Sequence, residues 1–241
     1  MNIYSKSDIG RERSTNQDAF VAGEFQNGAA FAVVCDGMGG AKAGKVASET
    51  AATMISDYIV KSYSPKMSVS GIEKMLRAAV VSANDEVHTA SKENEEYKGM
   101  GTTVVVALAT ENLVHIVHVG DSRAYLVGPE NIEQLTQDHS IVQRMISQGE
   151  ISEDEAKNHP QKNIITRAVG AESTVLCDYD IVIKPDNAAL LICTDGLTNY
   201  VEEQTILDII NNEEQSLCAE KLVDMANEQG GGDNITVVLI F

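Results

Sequence analysis

The chain has 241 residues, 43% of them hydrophobic, so it is long enough to bury a sizeable core. Acidic residues number 36 against 18 basic ones, and the formal charge of −18 argues against a nucleic-acid-binding surface. No segment has the length of an apolar membrane span, and the N-terminus lacks a signal-peptide pattern, so we expect no membrane insertion. The 4 cysteines form no CxxC pair, which favours a reducing, cytoplasmic setting without a cysteine zinc site.

Segments rich in β-branched residues predict strands at 30–35, 102–109, 113–119, 123–127, 175–183, 188–193 and 235–241. After the first strand, apolar residues at helical spacing predict two long helices, at 46–59 and 72–87. Ser70 and Glu73 form a capping-box pattern that predicts the start of the second helix. Near the C-terminus, a helix is predicted over 216–229, closed by the glycine that follows.

The two long helices interrupt the strands rather than alternating with them one for one. This order favours an α+β domain with antiparallel sheets over a doubly wound parallel sheet, and we expect one domain over residues 1–241. The polar region 139–170, with a second capping box from Ser152 to Glu155, predicts a surface flap of short helices.

Several aspartates lie where apolar runs end or begin. Asp36, Asp121 and Asp195 each follow such a run, and Asp233 precedes the last one. If these ends meet at one edge of antiparallel sheets, they form a carboxylate cluster that is costly to bury without cations. Oxygen ligands favour hard divalent ions such as Mg²⁺ or Mn²⁺, so the pattern indicates a metal-dependent hydrolytic site.

Two of these aspartates precede glycine, and Asp-Gly is also a common hairpin turn. Taken alone, each pair is better explained as a turn. The recurrence of aspartate at strand ends favours the metal site. So do Gly37, Gly39 and Gly40, because glycine lets the backbone approach a ligand and offer it a carbonyl oxygen.

The polar segment 13–18 precedes the first predicted strand. It is either a solvated loop or part of the site, where Arg13 would clamp a phosphoryl group and Asp18 would support metal-bound water. Arginine suits the first role because its planar fork donates two parallel hydrogen bonds to phosphate.

The histidines differ in the chemistry that they can perform. His115 and His118 are three apart in a strand and face opposite sides, so they do not share a metal, and we expect one packed and one half-exposed ring. His139 and His159 flank the flap and are the acid–base candidates, although a structural role explains either. Because the chain has no Gly-x-Ser-x-Gly elbow and no Cys-x₅-Arg loop, a covalent serine or cysteine mechanism is disfavoured.

Seven short motifs in order resemble those of the metal-dependent protein phosphatases of type 2C, and they lie at 13–18, 36–40, 101–103, 120–123, 166–170, 194–197 and 233–236. Together they cover nearly the whole chain. The compact length is similar to that of the bacterial branch, which opposes membrane-bound Ser/Thr kinases. The resemblance implies two packed antiparallel β-sheets flanked by helices.

The resemblance also implies two Mn²⁺ or Mg²⁺ ions in the core of the site. Asp36 would bridge them, with the Gly37 carbonyl on one ion, and Asp195 and Asp233 would hold the other.

Three further expectations follow from the same resemblance. Asp121, together with Asp195, matches the position of a third ion in bacterial members. Arg13 matches the phosphate-binding arginine, and Asp18 matches the acid that orients metal-bound water.

The chain departs from the family pattern at two positions. Met38 replaces a histidine that is a candidate general acid in many eukaryotic members, so the leaving-group proton must come from elsewhere. Gln17 replaces an acidic residue, which removes a charge near the ions and is expected to weaken their binding slightly.

The sequence therefore predicts a protein Ser/Thr phosphatase in which a hydroxide bridging two ions attacks phosphorus directly. A small-molecule phosphohydrolase and a non-catalytic phosphoprotein-binding regulator on the same fold remain alternatives. The expected partners are phosphorylated proteins, including a cognate Ser/Thr kinase. We expect a cytoplasmic monomer.

Overall fold

The computed structural model describes residues 1–40 and 42–241. Its strands are β1 (Ile3–Asp8), β2 (Asp18–Glu24), β3 (Ala30–Met38), β4 (Gly101–Thr102), β5 (Val104–Ala109), β6 (Leu113–Val119), β7 (Arg123–Val127), β8 (Ile132–Gln134), β9 (Asp178–Ile183), β10 (Ala189–Cys193) and β11 (Ile235–Ile240). The α-helices are α1 (Ala43–Ser62), α2 (Val69–Glu93), α3 (Ile141–Ser147), α4 (Glu153–Lys157), α5 (Asp195–Thr198), α6 (Glu203–Asn212) and α7 (Gln215–Glu228).

The strands form two antiparallel sheets. One has the order β1-β11-β10-β7-β8, and the other has the order β2-β3-β5-β6-β9, with β4 paired to β3. Helices α1 and α2 pack on the outer face of the six-stranded sheet, and α6 and α7 pack on the outer face of the five-stranded sheet. A third apolar layer lies between the sheets. The predicted α+β class, with two packed antiparallel sheets flanked by helices, is confirmed.

The central strands are buried on both faces, which explains why their sequences are continuous apolar runs. In β3, Val33 and Cys35 face the helices, whereas Ala32 and Val34 face the other sheet. The alternation of strand side chains places one set in each layer. Small inner residues such as Ala32 let the two sheets approach closely.

Three strands were not predicted, and all three lie at sheet edges: β1 and β8 in one sheet and β2 in the other. Their side chains are mostly half-exposed and mix polar with apolar types, so local pattern distinguishes them poorly from loops. Two predicted strands also have different bounds. The segment 102–109 is divided between β4 and β5, and the segment 175–183 becomes a strand only from Asp178.

The predicted start of the second long helix is wrong by two residues. Ser68, and not Ser70, is the N-cap of α2, because its extended backbone lets the side chain accept a hydrogen bond from the Gly71 amide at 3.2 Å. The capping box at Ser152 and Glu155 is confirmed at the start of α4.

The region predicted as a flap contains the two short helices α3 and α4. None of the helices in the described part of the chain has the length and apolar character needed to cross a membrane.

Candidate metal centre and active site

Carboxylates from both sheets come to one edge of the fold. Asp18 opens β2 and lies directly across from Asp36 of β3 in the strand register. Asp195 follows β10, and Asp233 precedes β11, its antiparallel neighbour. The turn interpretation of Asp36-Gly37 is wrong because β3 continues to Met38, and at Asp195 a helix begins instead of a hairpin.

The backbone of Asp36 is fixed by two threonines that follow α2. Its amide donates to Thr103 Oγ1 at 2.9 Å, and its carbonyl accepts from the Thr103 amide and from Thr102 Oγ1, each at 2.9 Å. Thr103 Oγ1 also shares a hydrogen bond of 2.7 Å with Ser122 Oγ. Because Ser122 directly follows Asp121, this buried pair connects the Asp36 strand to the Asp121 loop.

Asp18 is held from the opposite sheet. Its Oδ2 accepts from Thr194 Oγ1 at 2.9 Å and from Thr236 Oγ1 at 2.7 Å. Sequence reasoning missed both threonines, although each carries a signal: Thr194 directly precedes Asp195, and Thr236 interrupts an otherwise apolar strand. These bonds orient Asp18 and leave its second oxygen directed elsewhere.

Two buried carboxylate oxygens, Asp18 Oδ1 and Asp195 Oδ1, have no hydrogen-bond partner among the described residues. The other oxygen of Asp195 accepts from Asn199 Nδ2 at 2.9 Å. A buried polar atom without a partner is costly, and most such atoms in native proteins are satisfied by a partner, water or an ion. The two open oxygens therefore fit a cation between them and their neighbours.

The electrostatics lead to the same conclusion. Burial, reinforced by neighbouring carboxylates, raises the pKa of Asp195 to about 6, of Asp18 to about 7 and of Asp121 to about 8. Burial also raises the pKa of Asp36 well above its usual value, with Asp18, Asp195, Asp121 and Asp233 adding to the shift. The five carboxylates therefore share one site, and their all-oxygen donor set suits Mn²⁺ or Mg²⁺.

We expect the metal-free protein to lose stability as the pH rises from about 5 to about 8. In this window the folded chain holds carboxyl protons that the unfolded chain, with pKa values near 4, has released. Each such proton lowers the free energy of unfolding by about 1.4 kcal/mol per pH unit. Mn²⁺ should restore stability at pH 8 because cations replace the protons. Melting temperatures in chelator and in Mn²⁺ test this, and a chelator curve that rises with pH would contradict it.

Gly37 and Gly44 pack against each other without side chains. A Cβ at Gly37 would collide with the carbonyl oxygens of Gly44 and Gln17, and a Cβ at Gly44 would come within 2.8 Å of the Gly37 carbonyl oxygen. Any side chain at position 44 would therefore press against the Gly37 carbonyl. Gln17 has a role of its own here, since its Nε2 donates to the Gly40 carbonyl at 2.7 Å, a bond that an acidic residue cannot make.

Arg13 lies beside a predicted metal ligand. Its Nη2 donates to Asp233 Oδ2 at 2.9 Å, and its Nε donates to the Gly232 carbonyl at 3.3 Å. The side chain is 51% exposed, so part of the guanidinium faces the solvent above the carboxylates. This position allows Arg13 to neutralise an anion that approaches the site.

The histidines differ in part from their prediction. His115 and His118 are both buried, so the expected half-exposed ring is wrong. His115 Nδ1 shares a hydrogen bond of 2.8 Å with the Tyr179 hydroxyl, and His118 Nε2 donates to the Gln137 carbonyl at 2.9 Å. They face opposite sides of β6, as predicted. His159 is half-buried in the flap, and its Nδ1 accepts from the Gln161 amide at 3.2 Å.

His118, His139 and Asp178 place ligand-type atoms within 4.8 Å of one another. Arg167 already supplies a cation there, because its Nη1 lies 2.8 Å from Asp178 Oδ1 and 3.0 Å from His139 Nε2. The aspartate cluster also contacts a cation, Arg13 at Asp233, but its five carboxylates and two open buried oxygens exceed what that one charge offsets, which makes it the better metal site.

A cleft of about 1070 Å³ extends from Asp121 and Asp195 towards the flap. The flap contributes Gln143 and Lys157 to its wall, and α6 contributes Glu203. Its size and polar lining suit a peptide segment leading to the carboxylates.

Comparison with known proteins identifies the family of the chain. A family model described as "Protein phosphatase 2C" matches residues 9–228. The serine/threonine phosphatase stp of Listeria welshimeri is 39% identical over 241 residues, which cover 100% of this chain and 95% of the relative. The protein phosphatase PhpP of Streptococcus pneumoniae is 36% identical, covering 100% and 97%.

Among solved structures, the serine/threonine phosphatase Stp1 of Staphylococcus aureus superimposes with a TM-score of 0.92 at 36% identity. The superposition covers 98% of this chain and 93% of that one. The fold thus defines a metal-dependent protein phosphatase, with the carboxylate cluster as its candidate metal centre. The chain belongs to the protein phosphatase 2C family.

Proposed function

We propose that this protein is a Ser/Thr phosphatase that hydrolyses phosphoserine and phosphothreonine in proteins. The observation that carries the proposal is the cluster of five aspartates from two sheets, with two buried, unpartnered oxygens at its base. The cleft beside the cluster offers room for a polypeptide substrate. The family membership agrees with this assignment.

We assign two core Mn²⁺ or Mg²⁺ ions to Asp36, the Gly37 carbonyl, Asp195 and Asp233, and a third to Asp121 with Asp195. When bound, such ions supply an activated water as the nucleophile and neutralise charge on the phosphoryl group. The closeness of Asp36 to the other carboxylates supports the expectation that it would contact both core ions, because their charges all act on it.

Side chains of the protein bind the phosphoryl group and orient the attacking water. Arg13 binds the phosphoryl oxygens through the part of its guanidinium that faces solvent and keeps the phosphorus in line for attack. Asp18, held by two threonine hydroxyls, orients the attacking water through its open oxygen. Met38 carries no proton, so the leaving-group proton comes from another group.

A turnover assay separates this function from its two alternatives. With Mn²⁺ present, we expect fast hydrolysis of phosphoserine and phosphothreonine peptides and little hydrolysis of nucleotides or small alkyl phosphate esters of similar charge. Preference for nucleotides would indicate a small-molecule phosphohydrolase. Tight phosphopeptide binding without turnover would indicate a regulator.

Arg13→Ala is expected to raise KM for a phosphopeptide about tenfold or more, because a hydrogen bond to a charged group contributes about 1.5–3 kcal/mol. Affinity for Mn²⁺ should stay the same or increase, since the substitution removes a cation beside Asp233. Arg13→Lys is the matched control and should recover part of the loss, as it keeps the charge without the fork. Kinetics and calorimetric Mn²⁺ titration on all three proteins test this, and weaker Mn²⁺ binding at unchanged KM would contradict the clamp.

Three further assignments belong to the same proposal. Residues 1–241 work as one catalytic domain, and the protein acts as a monomer. Its substrates are cytoplasmic phosphoproteins, including a cognate Ser/Thr kinase.

A further inference from the structure

His139 forms hydrogen bonds with both the amide and the carbonyl of Gly120, the residue that precedes Asp121. The His139 amide donates to the Gly120 carbonyl at 2.9 Å, and the Gly120 amide donates to His139 Nδ1 at 3.1 Å. On its other side, Gly120 is packed so closely that a Cβ would lie 2.7 Å from Thr103 Cβ. The peptide that carries Asp121 is therefore fixed between Thr103 and His139.

The hydrogen bond from the Gly120 amide also determines the tautomer of the His139 imidazole. Because Nδ1 accepts a hydrogen bond, it carries no proton, so the neutral ring has its hydrogen on Nε2. That nitrogen lies 3.1 Å from Asp178 Oδ2 and donates to it. The ring of His118 stacks on the ring of His139, with 4.7 Å between centroids and 16° between planes, which limits its rotation.

The same residue joins the two ends of the flap. The His139 carbonyl accepts from the Thr166 amide at 2.7 Å, and the next residue, Ser140, is the N-cap of α3. Asp178, which His139 contacts through Nε2, also accepts from Arg167 at 2.8 Å. His139 thus contacts the start of the flap, its end and the Asp121 loop at once.

These bonds leave His139 no free group for chemistry on a substrate. Nδ1 is committed to Gly120 and Nε2 to Asp178, and Arg167 adds a cation beside Nε2. The ring is therefore unsuited to proton donation and to metal ligation.

We propose that His139 is a positioning residue that couples the flap to the third ion. Its Nδ1 fixes the Gly120 peptide and so the position of Asp121 for that ion, and its Nε2 connects the same ring, through Asp178, to Arg167 at the end of the flap. This role rests on the proposed function, because it assigns Asp121 to the third ion.

Two amide variants separate the two bonds of the ring. In His139→Asn, the amide oxygen comes near the position of Nδ1, so the bond to Gly120 is kept and the bond to Asp178 is lost. In His139→Gln, the amide nitrogen comes near the position of Nε2, so the bond to Asp178 is kept and the bond to Gly120 is lost.

Calorimetric titration with Mn²⁺ should show the tight core sites and one weaker site in the unaltered protein. His139→Gln should weaken the weaker site about 10-fold or more, the loss typical of removing a partner of a metal ligand, with the core sites unchanged. His139→Asn should keep the weaker site and instead speed amide hydrogen exchange in α3. The reverse pattern, or equal loss in both variants, would overturn the role.

A second measurement needs no His139 variant and holds if those variants fold poorly. In the unaltered protein, filling the weaker site with Mn²⁺ should slow amide exchange in α3, and Asp121→Ala should abolish that response. An amide exchange rate in α3 that does not change when Mn²⁺ binds would overturn the coupling between the flap and the third ion. If the unaltered protein has no weaker site at all, the third-ion assignment fails together with the His139 role, whereas phosphatase activity from the core ions still stands.

Discussion

Alanine at Asp36, Asp195 or Asp233 is expected to abolish Mn²⁺-dependent hydrolysis. Each substitution removes a proposed direct ligand, so kcat should fall at least about 1,000-fold, more than the 10²–10³ typical of losing one hydrogen-bond donor in an active site. Asp36→Ala should have the largest effect, because the carboxylate is proposed to contact both core ions. Asp57→Ala, on the exposed surface of α1 where Asp57 pairs with Lys61, is the matched control and should leave kcat unchanged.

The measurement combines phosphopeptide turnover with calorimetric Mn²⁺ titration of each variant. Thermal melts in chelator should show that all four variants fold. We expect the three ligand variants to be no less stable than the unaltered protein without metal, because each loses a carboxylate from a crowded, desolvated cluster. Turnover near the unaltered rate in any one of them would remove that residue from the metal core.

The second large effect is expected at Asp121. Asp121→Ala should keep the two core ions, yet slow phosphopeptide hydrolysis much more than hydrolysis of p-nitrophenyl phosphate. The reason is the leaving group: p-nitrophenolate departs with little help, whereas a serine alkoxide needs a proton in the transition state. Because Met38 cannot donate, Asp121 would provide for this proton indirectly, by holding the third ion, which would supply the acidic group.

His159 is the competing source of the proton. We expect His159→Ala to affect both substrates about equally, since a half-buried flap residue acts on access or packing. The values of kcat for both substrates, in both variants and at saturating Mn²⁺, decide between them. A selective phosphopeptide defect in His159→Ala, with none in Asp121→Ala, would make the histidine the acid.

The parts of the fold that the sequence predicts well are those buried on both faces. Strands such as β5 and β10 are apolar along their whole length, so their bounds follow from composition. The edge strands β1, β2 and β8 escape prediction because a half-exposed strand tolerates the same mixed residues as a loop.

The site residues also divide into those that the sequence predicts and those that it does not. Asp36, Asp195 and Asp233 could be predicted because each adjoins an apolar strand. The groups that orient Asp18 could not, since Thr194 and Thr236 lie 176 and 218 residues away along the chain. A hydrogen bond over such a separation depends on how two sheets dock, and local periodicity contains no information about docking.

The bonds from Asp18 to Thr194 and Thr236 have a consequence for assembly. Asp18 belongs to the six-stranded sheet and both threonines belong to the other, so the buried oxygens come together only after the two layers have docked. Metal affinity is then a property of the interlayer contact, and neither layer alone would possess it. A shift of β11 by one residue would turn Thr236 to the opposite face of the sheet and break its bond to Asp18. Bound ions would therefore stabilise the structure with the correct register relative to structures in which β11 is shifted.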